Sequence, residues 1–306
     1  MPPRPRDDAL SEVVGFVLIL GVIVVALSLY QVYGVPAVGR ENEIAHMNHV
    51  KNRFVDYKIA LDSLWVNDRS GVLLSMAFDL GTGAPATGGR AFALPILTPA
   101  GSGGMVTVEE GGAVLNVTAQ EGEEIHTLIE DLPLGRLIYQ SSNHYWVDQE
   151  WIYQGGAIFL SQGEGMAVRV GPSIAVAKKG NNTDLTVAPI RLEGSDMIAG
   201  SGPVRIETRM RQGTSSPREP YDWVNLTIKS DDEPTVWIWK RAFDEVRERA
   251  KDDWGIDSLH APELSDDRKR VTLTVKPPGN DNGKVYLTRH SSNYTVTLHG
   301  AASLVE

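Results

Sequence analysis

The 306-residue sequence predicts an N-terminal transmembrane and spine α-helix followed by an all-β, sandwich-like head with one amphipathic helix. Three observations carry this. Val13 to Leu29 is an uncharged apolar run long enough to cross a bilayer as one helix. An apolar repeat at alternating three- and four-residue steps follows, between Glu41 and Trp65. After Asn67 and Asp68 the period becomes two, and Gly, Pro, Asn and Asp separate short alternating runs. The expected divisions are a transmembrane helix over 9–35, an amphipathic spine helix over 36–67, and a β-rich head over 68–306 containing a helix at 234–254.

The apolar run must be helical in lipid, because every backbone group there has to be bonded within the segment. It exceeds the roughly 7–15 apolar residues of a secretory signal. That length favours a retained helix over cleavage at the small residues Ala37-Val38-Gly39. Tyr30 and Tyr33 suit an interfacial aromatic belt. Arg4 and Arg6 precede the run and Arg40 is the first cation after it, which by a small margin favours a short N-terminus inside and the head outside.

The stretch Asp7-Asp8-Ala9-Leu10-Ser11-Glu12-Val13-Val14-Gly15, followed by an apolar helix, resembles the class III signal of archaeal type IV pilin-like proteins. The resemblance implies that 1–8 is a leader peptide, removed by a prepilin peptidase between Asp8 and Ala9. It also implies that the helix stays on the mature chain and packs in a filament core. The sequence departs from the archaeal pattern at Glu12, where proline is usual; bacterial pilins carry a glutamate at the fifth mature position, and Glu12 would be fourth. A carboxylate at the edge of an apolar helix is costly unless solvated or paired. Glu12 is therefore either an assembly residue, pairing with a neighbour's new terminal amine, or a group solvated at headgroup depth.

In the spine, Gly34 and Pro36 predict a kink or short break, since proline lacks a donor and clashes with the preceding turn. Met47, Val50, Phe54, Tyr57, Leu61 and Leu64 then form a seam of the a/d type. It could pack under its own head, against a neighbour's helix, or in a coiled stalk. His46 and His49 stand three apart on this helix, a spacing compatible with zinc. No third ligand is near in sequence, and solvated surface histidines are expected.

Strands are expected at 72–78, 113–118, 136–140, 157–161, 166–170, 184–192, 204–210, 223–229, 271–276, 284–289 and 294–299. Asn282-Gly283 lies between two such runs and predicts a hairpin. Residues 81–104, rich in Gly, Ala, Pro and Thr, read as a surface loop interrupted at 91–97. Pro234 suits a first helical turn, and Val236, Trp239, Phe243, Val246 and Ala250 give that helix one apolar face to lay on a sheet, before Trp254-Gly255 ends it.

Residues 143–157, Asn-His-Tyr-Trp-Val-Asp-Gln-Glu-Trp-Ile-Tyr-Gln-Gly-Gly-Ala, with Ser161-Gln162-Gly163, resemble a block in an uncharacterised family of archaeal pilin-like membrane proteins. Within it Asp148 and Glu150 stand two apart beside Trp146 and Trp151, a candidate surface-binding group. Paired carboxylates with aromatic platforms serve glycoside hydrolysis, and they also describe a half-buried strand with a polar face. Sugar or surface adhesion is the stronger of the functional readings. Asn116, Asn181, Asn225 and Asn293 begin Asn-x-Ser/Thr sequons, candidate glycosylation sites on an exterior head.

Net charge −10 and a pI near 5.2 argue against nucleic acid. There is no cysteine, so neither disulfides nor thiol chemistry is available. No nucleophile elbow, P-loop, dinucleotide fingerprint or zincin motif occurs. Asn280-Asp281-Asn282-Gly283 has part of a calcium-loop pattern but lacks the downstream glutamate. No enzyme, metal or cofactor is expected. The expected function is a pilin-like surface structural protein, a filament or minor adhesive subunit. Its partners would be the prepilin peptidase, membrane lipid and other pilin-like subunits. The alternative is a single-span ectodomain that binds glycan or envelope material without polymerising, and a surface hydrolase is a lesser third.

Overall fold

The computed structural model describes residues 7–67, 69–83, 97–256, 259–278 and 283–300, with side chains from Glu12 onward. Arg4, Arg6, the side chains of Asp8 and Ala9, residues 91–96 and residues 280–282 lie outside the described residues.

An uninterrupted helical rod opens the chain. Its first part, α1 (Asp7–Leu29), leaves every large apolar side chain from Val13 to Leu29 between 41 and 69% exposed. It is long and apolar enough to span a membrane as a single-pass anchor. A π-helical turn at Tyr30–Gly34 joins it to α2 (Val35–Val66). The expected break at Gly34 and Pro36 is therefore a change of pitch. The Val35 N–H reaches back five residues to the Tyr30 carbonyl, and such a bulge accommodates a ring that would otherwise clash with the turn below. Glycine is needed at 34, because a Cβ there would lie 2.7 Å from the Tyr30 ring.

The seam of α2 is used within the chain. Met47, Val50, Phe54, Tyr57, Leu61 and Leu64 are all buried in the head's own core, among Phe78, Tyr139, Trp151, Tyr153, Leu160, Ile206 and Val296. Phe54 meets Phe78 edge-on at 5.6 Å, and Tyr57 meets Tyr153 edge-on at 5.4 Å. Burying each such side chain is worth about 1.5–3 kcal/mol. The six together contribute on the order of 10 kcal/mol, so α2 is part of the head's core and not a stalk beneath it.

In chain order the strands are β1 (Leu73–Asp79), β2 (Gly103–Glu109), β3 (Val114–Glu121), β4 (Glu124–Pro133), β5 (Arg136–Ser142) and β6 (Gln149–Gln154). Next come β7 (Ala157–Gln162), β8 (Gly165–Val170), β9 (Ile174–Lys179), β10 (Asn182–Val187), β11 (Ile190–Glu193) and β12 (Asp196–Gly200). Then follow β13 (Pro203–Ser215), β14 (Glu219–Tyr221), β15 (Trp223–Lys229), helix α3 (Glu233–Trp254), β16 (Glu263–Leu264), β17 (Arg270–Val275) and β18 (Val285–Gly300). One sheet runs β1-β13-β18-β10-β9, with β11 and β14 also on β18. A second runs β12-β2-β5-β6-β7-β8, and a third β16-β17-β15-β3-β4. Pairing is antiparallel except where β10 and β11 lie parallel to β18.

Two cores result, and the second sheet separates them. Tyr139, Trp151, Tyr153, Ile158 and Leu160 point to α2, while Ile138, Ile152, Ala157 and Phe159 point to the third sheet and α3. This is the pleat of a strand buried on both faces. β18 serves both cores, with Val285 and Leu287 in one and Tyr294, Val296 and Leu298 in the other. α3 is capped by Asp232, whose carboxylate accepts the Thr235 N–H at 3.1 Å, and it ends at left-handed Gly255. It lays Val236, Trp239, Phe243, Val246 and Ala250 into the core as expected.

The hairpin expected at Asn282-Gly283 is not formed, because β17 lies in the third sheet and β18 in the first. The run expected at 184–192 divides into β10 and β11 around Pro189, which cannot donate to a ladder. The runs at 284–289 and 294–299 are one strand, β18. The loop expected over 81–104 ends earlier, since Gly103 and Gly104 already belong to β2.

Replacing Phe54, 1% exposed, by alanine is expected to lower unfolding stability of the detergent-solubilised chain by about 3–5 kcal/mol. Ile59→Ala on the outer face of the same helix, 61% exposed, is expected to change it by no more than about 0.5 kcal/mol. Equal effects in denaturant titrations would contradict a seam buried in the head.

Candidate functional site

The junction of helix and head is the most elaborated site in the molecule. It is built from α2 between Val35 and His49 and from the loop 143–148 that joins β5 to β6. Glu43 is 1% exposed, and its two carboxylate oxygens accept the backbone N–H groups of His144 at 2.7 Å and Tyr145 at 2.8 Å. Hydrogen bonds to an ionised acceptor are among the stronger ones. The Tyr145 ring lies directly on Gly39, where a Cβ would come within 2.3 Å of it. Tyr145 Oη in turn accepts the Ala100 N–H at 3.1 Å. The Arg40 guanidinium sits 4.5 Å from the centre of the Trp146 ring, a cation–π contact.

The loop is braced from inside as well. Asp148 Oδ1 accepts the Asn143 N–H at 2.7 Å, and Asn143 Nδ2 donates to the Val147 carbonyl at 3.0 Å. The segment thus clasps the helix at the point where it enters the head.

One turn further along, His46 is buried, not solvated as its sequence position suggested. Tyr139 donates its hydroxyl proton to the Leu80 carbonyl at 2.8 Å. The His46 Nε2, 3.1 Å from that hydroxyl, therefore carries the hydrogen between them. Burial holds the His46 pKa below its ordinary 6.5, with His49 acting in the same sense and Asp79 against it. Beside these groups a cleft of about 720 Å³ opens, lined by His46, His49, Asp79 and glycine-rich backbone near 81–83, 99–101 and 201–203. His49 Nε2 lies 3.8 Å from Asp79 Oδ2. Among the described residues no three side chains converge in a way that could hold a metal.

At the far end of α2 a second polar lock closes. Lys58 Nζ lies 2.8 Å from Asp62 Oδ2 and 2.9 Å from Ser173 Oγ, while Trp65 Nε1 and Ser173 Oγ both donate to Asp62 Oδ1 at 3.1 Å. Tyr294 donates to the Leu61 carbonyl at 3.0 Å, and burial pushes its pKa up to about 12.

The residues singled out from sequence are dispersed. Trp146, Asp148, Glu150 and Trp151 do not form one surface. The pleat turns Trp151 inward, 3% exposed and 6.3 Å from Phe54, and leaves Glu150 on the opposite face. Trp146 is engaged by Arg40 and Asp148 by the loop backbone. Burial raises the pKa of Glu150, with the Gln140 side chain and Arg136 opposing. Of the sequon asparagines, Asn181 is exposed in the turn from β9 to β10. Asn116 exchanges two 3.0 Å hydrogen bonds with Asp131, and Asn225 and Asn293 sit within β15 and β18. Glu12 is exposed at the start of the bare part of α1.

A protein-family profile described as a family of unknown function, DUF7289, matches residues 101–291, more than half of the chain. The chain belongs to DUF7289. No curated protein and no solved structure is significantly similar to it. The part matched to DUF7289 holds the clasping loop, the second and third sheets and α3, and it begins after the helix that the loop clasps.

Glu43, Gly39, Arg40, Tyr145 and His46 carry the junction, and the sequence reading gave them no part in it. The signal was there as period. The seam continues backwards from Met47 through Glu43 and Gly39 at four-residue steps, but with residue types that do not read as core.

Glu43→Ala is expected to leave the two loop N–H groups without their acceptor, at a cost of about 1–3 kcal/mol. Hydrogen exchange at His144 and Tyr145 should accelerate while that of β7 does not; unchanged exchange would refute the clasp. Because the folded pKa of His46 lies below its unfolded value, its contribution is fully present above about pH 6.5 and is lost as pH falls below it. His46→Gln is expected to flatten that part of the stability–pH curve, measured in denaturant titrations across the range; an unchanged slope would exclude His46 as the group responsible.

Proposed function

We propose that this protein is a type IV pilin-like surface protein with a structural role. In this reading a prepilin peptidase removes the leader before Ala9, α1 remains in the membrane, and the head stands outside the cell. The chain then serves as a filament subunit or as a minor, adhesive one, and it carries no catalytic function. The observation that supports this best is one helical rod of two characters. Its bare apolar half is free to lie among lipid or neighbouring helices, and its other half is locked into a β-rich head.

A second reading is favoured by one observation. The whole seam from Met47 to Leu64 is taken up by the chain's own head, so no coiled stalk between subunits is left for it to make. A single-span ectodomain that presents its head to glycan or envelope material without polymerising fits that equally well. Asn181, exposed in a turn, is the sequon best placed to carry a glycan in either case.

The test is the N-terminal residue of the membrane-extracted protein, with and without the prepilin peptidase. A start at Ala9 that depends on the peptidase is expected. A start at Met1 or Pro2 indifferent to the peptidase would sink the pilin-like reading, and recovery only from membranes, never from sheared filaments, would favour the non-polymerising anchor.

A further inference from the structure

We propose that the loop 143–148 is a membrane-seating foot, which rests Trp146 and Val147, together with Arg40, on the lipid headgroups of the bilayer that α1 crosses. The proposal depends on α1 being the membrane anchor and adds where the head sits above it.

The argument is one of length. No charged residue lies between Glu12 and Arg40. At about 1.5 Å per residue that uncharged helix is about 40 Å long. The hydrocarbon of a bilayer is about 30 Å thick, and headgroups bring the total to about 40–45 Å. With Glu12 at the near edge of the hydrocarbon, the far edge falls near Tyr33, and Arg40, about 10 Å further along the helix, has a side chain long enough to reach back to the opposite headgroups. Tyr30 and Tyr33, 46% and 71% exposed, fall at the boundary where aromatic residues collect.

The head descends to the same level. Val35 is only 8% exposed, whereas the valines of α1 keep 53–69%, so the head covers the helix to within two turns of Leu29. Side chains on a helix lean toward its N-terminus. The Cα–Cβ bond of Arg40 therefore leans toward the membrane, and the Trp146 ring sits 4.5 Å from its guanidinium. Val147, next in the loop, is 47% exposed. Trp and Arg, each with an apolar body and a polar end, are residue types that suit the headgroup layer.

The opposite end of the head is equally well defined. Trp65, near the end of α2, stacks on His290 at 5.2 Å, and Tyr294 bonds Leu61. β18 therefore runs antiparallel to α2 and begins beyond its end. Thr183 pairs with Val285 at that beginning, which places Asn181 at the pole remote from the foot.

The chain contains no cysteine, so Val147→Cys, Val22→Cys and Asn181→Cys each create one labelling site. Each full-length variant, carrying the environment-sensitive fluorophore NBD, is placed in phosphatidylcholine–phosphatidylglycerol nanodiscs with nitroxide on the headgroup or on the acyl chain, or with iodide in the buffer. The Val147 label should lose most of its emission to headgroup nitroxide, the Val22 label to acyl-chain nitroxide, and the Asn181 label to iodide alone. A Val147 label that behaves like the Asn181 one, while Val22 is quenched from the acyl chains, overturns the foot and leaves the anchor standing. A Val147 label shielded from both lipid nitroxide and iodide means that protein covers the loop, which also overturns it. A Val22 label that no lipid nitroxide quenches overturns the anchor and the foot together.

Discussion

Everything in this molecule depends on α2 being inside the head. A helix can present one stripe to a protein core and still be continuous with a segment that presents apolar side chains on every side. The chain makes that change of surroundings without interrupting the rod. The π-helical turn at Tyr30–Gly34 lies where it happens, and it takes up the proline that would otherwise break the helix. Below it the side chains are uncovered; above it Val35, Gly39, Glu43 and the seam beyond are covered by strands and loop. The head cannot rotate or lift relative to the helix without exposing Phe54, Tyr57 and Leu61.

Polar groups fix the position that apolar burial leaves loose. A seam of similar apolar side chains tolerates sliding by a turn, because the hydrophobic effect is not directional. Glu43 removes that freedom at one end, since only one register gives its two oxygens the N–H groups of both His144 and Tyr145. Gly39 removes it again, since only a residue without Cβ can pass beneath the Tyr145 ring. At the other end Lys58, Asp62 and Ser173 do the same. A partly buried ion pair is weak evidence for stability, and a role in register is the better-attested use for such a group.

Regular periods made much of the fold legible. The apolar run, the seam, α3 with its face, and strands such as β3, β13 and β15 follow from spacing alone. What was missed has identifiable physics. β4 carries Glu124, His126, Glu130 and Asp131 along a sheet edge, where charge is expected on a strand but hides its alternation. β6 and β7 are buried on both faces, so Trp151, which looked like part of a binding platform, is turned into the core around α2, while Trp146 stays in the loop against Arg40. The hairpin signal at Asn282-Gly283 failed because turn chemistry is local, whereas the destination of β18 is set by long-range pairing with β10, β11, β13 and β14. The site was the least legible part. Glu43 and His46 become meaningful only when Tyr139 and residues 144–145, about a hundred positions away, are brought to them.

The internal use of the seam also limits how any neighbour can meet this chain. To lend Met47–Leu64 to another subunit, the head would have to release contacts worth on the order of 10 kcal/mol, which is comparable to the whole stability of a typical domain. Exchange at that surface therefore amounts to unfolding the head. What remains for lateral contact is the bare helix α1 and the outer surface of the head. α1 has no charge between Val13 and Leu29, so in lipid its association with another helix would be driven by packing, with small positions such as Gly15, Gly21, Ala26 and Ser28 allowing close approach. Any assembly of this protein must then be built from contacts of α1 and of the head's outer surface that leave each head intact, with the register of every head set by its own chain.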